Sequence, residues 1–169
     1  SINPSGKLVI FSESIETIDH VSKNLQKQGF EKLLSVSAEN RDQVKNVITE
    51  NFDANYKLEN QKNDFNIIFT TEVLAEGVNL HRSNVIVNYD TPWNSTKLMQ
   101  RIGRINRIGT TASKIFIYNF YPTTKVDSDI ELKKKAIMKL QAFHSALGED
   151  SQIYSSDEEV DTFGLFDKS

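Results

Sequence analysis

Five short apolar runs, at 7–11, 32–36, 65–70, 84–89 and 114–120, recur along the chain between longer stretches where apolar positions fall at helical spacing. The runs are too short for helices and are bounded by polar or glycine-containing segments, which predicts five buried strands. The longer stretches predict helices at 14–28, 40–52, 72–76, 96–107 and 129–147. In the first, Ile15, Ile18, Val21 and Leu25 lie near one face, and Gly29 just beyond is a stop signal. Strand and helix alternating at this length predict an α/β domain, a mostly parallel sheet with helices on both faces and right-handed crossovers. In such sheets ligands collect at the carboxyl ends of the strands. Thr70, Thr71, Asp90 and Thr91 stand there and are expected to converge on one edge. The polar stretch from Asn51 to Asp64 reads as a surface loop within the domain, because both flanking elements belong to one sheet.

The pattern is most specific in residues 100–109, Gln-Arg-Ile-Gly-Arg-Ile-Asn-Arg-Ile-Gly. With Lys97, four cations (Lys97, Arg101, Arg104 and Arg107) occur here with no carboxylate between 97 and 109. On an ideal helix turning about 100° per residue from Gln100, Arg104 falls at about 40° and Arg107 at about 340°. Leu98, Ile102 and Ile105 cluster on the opposite side, between about 140° and 200°. Two guanidinium groups and a glutamine therefore share one supported stripe, and an anion is expected against it. Paired forks suit the spread charge of a transferring phosphoryl group, because each donates two parallel hydrogen bonds. Arginines in this role contribute about a thousandfold or more to rate in nucleotide hydrolases whose phosphate site is otherwise complete. Gly103 and Gly109 leave room for close approach. The bland alternative is a solvated basic face on an ordinary amphipathic helix. It is disfavoured by the lack of acidic partners at i,i+4 and by the interleaved glycines.

The rest of a phosphate site is missing. A phosphate-cradling loop needs Gly-x-x-x-x-Gly-Lys followed by Ser or Thr at the start of a helix. The nearest candidate, Ser5-Gly6-Lys7-Leu8, lacks the first glycine and the hydroxyl and leads into an apolar strand. No Asp-Glu pair follows an apolar strand to hold magnesium.

The decapeptide resembles motif VI of superfamily-2 helicases and translocases, and other segments agree with that family in order. Leu8 to Ser12 resembles motif IV, and Ser37 through Phe52, including Arg41, resembles the segment after the second strand. Ile67 to Val73 with Glu76 to Leu80 resembles motif V. Asn88 to Asn94 resembles the strand and Trp-Asn turn of the Swi/Snf-related branch and its bacterial relatives. The resemblance covers about residues 7 to 121. The chain departs from the Swi/Snf pattern at Leu74-Ala75, where paired glycines are usual, at Asn106, where histidine is usual, and at Thr110, where glutamine is usual.

This resemblance implies a RecA-like domain of the P-loop-NTPase type that lacks its own P-loop. Arg104 and Arg107 match the arginines that reach the terminal phosphate of ATP across a domain cleft, and Gln100 matches the residue that orients them. Gly77 and Asn79 match positions near the nucleotide sugar, and Thr70 and Thr71 match positions near the nucleic-acid backbone. Arg41 and Trp93 are further nucleic-acid candidates, each with an alternative: a salt bridge or capping contact for Arg41, core packing for Trp93. The implied partners are an N-terminal RecA-like domain of the same parent chain, supplying the P-loop and the Mg2+ ligands, and nucleic acid, with duplex DNA preferred. Two other readings of the same residues stay open, a non-catalytic nucleic-acid-binding module and a structural domain of a nuclease or restriction complex.

Composition narrows the picture further. The chain has 169 residues and a net charge of −3. Residues 149–169 hold Glu149, Asp150, Asp157, Glu158, Glu159, Asp161 and Asp167 against Lys168 alone, leaving residues 1–148 with a net +3. The expected division is therefore a RecA-like domain over 1–148 and an acidic tail over 149–169, docked or disordered. There is no cysteine, which excludes disulfides and thiolate metal sites. His20, His81 and His144 lack ligand spacing, so no metal site is expected on this chain. No apolar run approaches the length of about 18 residues that spans a bilayer, and no signal peptide is visible, so cytoplasmic residence is expected.

Overall fold

The apolar runs form one five-stranded sheet in the order β2-β3-β1-β4-β5. The computed structural model describes residues 5–75, 78–90, 95–105, 112 and 114–120. Its strands are β1 (Leu8–Phe11), β2 (Leu33–Val36), β3 (Ile67–Thr70), β4 (Val85–Asn88) and β5 (Phe116–Asn119). Its helices are α1 (Ile15–Lys27), α2 (Arg41–Phe52) and α3 (Ser95–Ile105), with 3-10 turns at Leu58–Asn60 and Glu72–Ala75. All four pairings are parallel, and β1 sits between β3 and β4 with Leu8 opposite both Ile67 and Val85. The segment expected as a helix at 72–76 closes only one 3-10 turn, and the expected helix at 129–147 lies outside the described residues.

The strands β1 to β4 are mostly apolar because both of their faces are covered, as parallel sheets require, whereas β5 is only partly buried. On one face α1 packs Ile18 against Ile10, Ile67 and Phe69. On the other, Ile48 and Phe52 of α2, Leu74, and Leu98, Ile102 and Ile105 of α3 cover Val9, Phe11, Ile68 and Ile86. From β1 the chain leaves toward β2 on one side of the sheet, and from β4 toward β5 on the other. The carboxyl ends of β1 and β4 therefore flank the reversal point where α/β sheets bind ligands.

Local chemistry sets the element ends. Ser14 caps α1, its hydroxyl accepting from the Thr17 N–H at 3.2 Å. Gly29 ends that helix at φ 92°, a left-handed conformation that glycine tolerates without strain. The Asn51–Asp64 stretch is a loop, as expected, but a tethered one. Buried Asn51 accepts from the Asp64 and Phe65 N–H groups at 2.8 and 3.2 Å. Arg82 donates to the carbonyls of Glu50, Asn51 and Lys62 and to Asn63 Oδ1.

Candidate functional site

At the reversal point the ends of β1 and β4 are joined by side chains. The Ser12 hydroxyl and the Glu13 N–H both donate to Asp90 Oδ2, the latter at 3.0 Å. Thr70 ends the neighbouring β3, wholly buried, with its hydroxyl donating to the Thr71 carbonyl at 3.0 Å. Thr71 is also buried and accepts from the Val73 N–H at 3.4 Å. Residues at the strand ends thus converge on one edge, as the alternation of elements predicts. Thr91 and Trp93 lie outside the described residues.

The α3 helix presents the face the helical wheel predicts. Leu98, Ile102 and Ile105 are buried, Gln100 is exposed, and Arg104 is partly exposed on the Gln100 side. Among the described residues, nothing beyond the helix's own backbone and the neighbours of Gly103 comes within 4 Å of where a Cβ would stand, so their packing does not require a glycine there. Arg107 lies outside the described residues.

The lack of a carboxylate within 97–109 does not leave all of its cations to an external anion, because carboxylates from elsewhere in the chain reach Lys97 and Arg101. Arg101 is wholly buried, and its Nε donates to Glu72 Oε1 at 2.9 Å, with Nη2 donating to the same oxygen. Its Nη1 donates to Asn88 Oδ1 at 2.8 Å and to the Asp90 carbonyl at 3.5 Å, and its guanidinium lies 4.9 Å from the centre of the Phe11 ring. Lys97 Nζ lies 3.3 Å from Glu13 Oε1. Both acids are distant in sequence, so a search of residues 97–109 misses them. A sequence signal for Arg101 did exist, since at about 100° from Gln100 it borders the apolar face rather than the polar stripe.

The motif V segment reaches α3 and α2 away from the strand ends. Asn79 Nδ2 donates to Asp53 Oδ2 at 3.1 Å, and the other Asp53 oxygen lies 3.5 Å from Nε2 of buried His81. The Leu80 N–H donates to the Arg104 carbonyl at 3.0 Å. Asn79 and Arg104 are thereby brought near each other along the flank of α3, not onto the edge formed by the strand ends. Gly77 lies outside the described residues. Arg41 opens α2, half-exposed, with Nε 3.5 Å from Asp42 Oδ1. It follows β2, two strands removed from β1.

Lys7, in the only sequence that approached a P-loop, holds the opposite end of the sheet. Its ammonium precedes β1, donates to the Phe65 carbonyl at 2.7 Å and lies 4.8 Å from the centre of the Phe52 ring. Burial pushes its pKa down to about 8, with Arg82 and Lys32 adding repulsion. Burial likewise lowers that of Arg82. Among the described residues no group of three or more His, Cys, Asp or Glu could hold a metal ion, and no helix is long and apolar enough to cross a membrane.

This architecture is that of a RecA-like α/β domain. The crystal structure of the C-terminal part of the Fun30 ATPase domain superposes on 77% of this chain and 38% of its own, with a TM-score of 0.58 at 20% identity. Residues 1–109 match the helicase conserved C-terminal domain, and the chain belongs to that family. An uncharacterized ATP-dependent helicase, YqhH, of Bacillus subtilis (strain 168) is 39% identical over 83 residues, covering 49% of this chain and 14% of that protein. The ATP-dependent RNA helicase DBP2 of Eremothecium gossypii is 25% identical over 118 residues, covering 70% of this chain and 20% of that protein. Protein CHROMATIN REMODELING 5 of Arabidopsis thaliana is 24% identical over 134 residues, covering 79% of this chain and 7% of that protein. The chain thus spans a fifth or less of these relatives.

Proposed function

We propose that this chain is the C-terminal RecA-like half of an ATP-dependent helicase or translocase, supplying one wall of an ATP site shared with an N-terminal RecA-like half. The observation that carries the reading is α3: its apolar face is buried, Gln100 and Arg104 lie on the other side, and among the described residues the space beside Gly103 is open. A cationic stripe next to open space suits phosphate oxygens. It does not suit a metal ion, so the Mg2+ ligands and the P-loop lysine are assigned to the partner half, and no step on this chain runs through the ion.

In this reading Arg104 and Arg107 donate to the terminal phosphate of ATP when the two halves close. Their hydrogen bonds strengthen as charge develops on the transferring oxygens, which lowers the barrier to hydrolysis. Gln100 orients the pair, and Gly77 and Asn79 line the approach to the sugar. Release of phosphate lets the halves part. Thr70, Thr71, Arg41 and Trp93 form this half's grip on the nucleic-acid backbone, and cycles of closure and opening become stepping along it. Backbone contacts of this kind position the protein without reading sequence. Duplex DNA is the proposed track, and the resemblance of the Trp-Asn turn favours the bacterial Swi/Snf-related neighbourhood.

The test is nucleic-acid-stimulated ATP hydrolysis by the parent protein carrying both halves. Arg104→Ala and Arg107→Ala should each lower kcat by about a thousandfold, with nucleic-acid affinity retained. Undiminished turnover in either variant removes that arginine from the mechanism. A parent protein that binds nucleic acid without nucleotide turnover would instead be a binding module.

A further inference from the structure

Arg101 is the largest fully buried side chain among the described residues, so it cannot reach an ATP phosphate across a cleft. It nevertheless stands three residues before Arg104 on the same helix. Its hydrogen bonds and ring contact tie α3 to three other places: the Glu72 turn after β3, Asn88 and Asp90 at the end of β4, and Phe11 at the end of β1. A second fastening lies at the far end of α3, where the Leu80 N–H holds the Arg104 carbonyl at 3.0 Å. Glu72 and Leu80 belong to the one segment between β3 and β4, so that segment grips the carboxyl-terminal half of α3 at two points one turn apart.

We infer that Arg101 and Glu72 are positioning residues, which fix the rotation of α3 about its axis and thereby aim Arg104 at the phosphate. The inference rests on the functional reading above. Stability alone explains the pair poorly, because the cost of desolvating a buried ion pair offsets most of its attraction, and apolar side chains of similar volume fill such a space about as well. An apolar pair lacks direction. The guanidinium fork, with three acceptors in a fixed arrangement, allows α3 a single rotational setting. Glu72 has spent one carboxylate oxygen on this fork, and its buried Oε2 has no hydrogen-bond partner among the described residues, an arrangement that stability would not select.

The experiment compares three forms of the parent protein: wild type, the double variant Glu72→Met/Arg101→Met, and Arg101→Lys. The double variant removes both charges together and leaves none unpaired. Arg101→Lys keeps a charge but loses the fork. Both should keep the wild-type KM for ATP and wild-type affinity for nucleic acid while kcat falls by about a hundredfold, the cost of misplacing a catalytic group by about 1 Å. The double variant should also keep the wild-type melting temperature. Wild-type kcat in a folded variant overturns the inference, as does failure of both variants to fold, which would make the pair a folding requirement. A wild-type parent without nucleic-acid-stimulated hydrolysis fails at the functional reading itself and takes this inference with it.

Discussion

Lys7 carries an ammonium group into the amino end of the sheet, where a carbonyl and a ring face are its partners. Its folded pKa of about 8 lies below the ordinary value of 10.5, so between those limits the folded chain has released a proton that the unfolded chain retains. Stability must then rise with pH across that window, and the penalty for burying the charge is felt in full below pH 8. Relative to Lys7→Met, the wild-type protein should gain about 1 kcal/mol between pH 8 and 10.5, after allowing for partial hydration of the ammonium. Urea unfolding of both proteins at several pH values checks this, and parallel pH profiles would show that Lys7 is not the titrating group. Residues of this kind were the least legible in the sequence. The tetrapeptide Ser5-Gly6-Lys7-Leu8 could be rejected as a P-loop, but nothing in it announces a carbonyl 58 residues away. Arg101 was obscure for the same reason, since its partner Glu72 is joined to it only by folding.

Elements were far more legible than residue contacts. The period of apolar residues placed all five strands to within about two residues at either end, because a strand buried on both faces has little freedom in composition. Gly29 marked the end of α1 correctly, and the buried and exposed faces of α3 followed from its 3.6-residue period. The 72–76 segment was the exception. It closes a single 3-10 turn on the way from β3 across β1 to β4. The cap of α1 offers a direct check at this scale. Ser14→Ala leaves the Thr17 N–H without its acceptor and should cost about 1 kcal/mol of unfolding free energy. The Ser14 hydroxyl also donates to Glu16 at 2.7 Å and holds that carboxyl below its usual pKa. The cost should therefore shrink as pH falls through the acid range, and a cost unchanged down to pH 3 would sever that link. The loop between α2 and β3 gives a larger effect. Asn51→Ala strips two N–H groups of their acceptor and should destabilise by about 2 kcal/mol. Amide exchange at Asp64 and Phe65 should accelerate in step, and unchanged exchange there would show that Asn51 is not what holds the loop.

At the scale of the whole molecule, fold class and family were readable because five segments occur in the right order, whereas the site itself was readable only in part. Arg104 sits on the face the helical wheel assigns it, but Lys97 and Arg101 are engaged by carboxylates of the chain itself. If the ATP site is shared between two halves, this purified chain should hydrolyse ATP negligibly, with or without nucleic acid. Turnover within about tenfold of the parent protein would contradict a divided site. Binding of the parent to nucleic acid should weaken steeply with salt, since neutralised phosphates release counterions. A flat dependence between 50 and 200 mM would argue against a backbone grip.

The strand order has a consequence for how the chain comes to be folded. Of these five strands the central one, β1, is synthesised first, yet its neighbours begin only at Ile67 and Val85. Its backbone hydrogen-bonding groups and the apolar side chains of Leu8 to Phe11 must wait until Ile67 and the residues after it have been added before a neighbouring strand exists to receive them. Assembly from such distant pairings is slow, because each closes a long loop before any contact rewards it. A ribosome pausing between residues 11 and 67 would therefore hold out a sticky, unpaired strand, and the nascent chain is most exposed to aggregation in that interval.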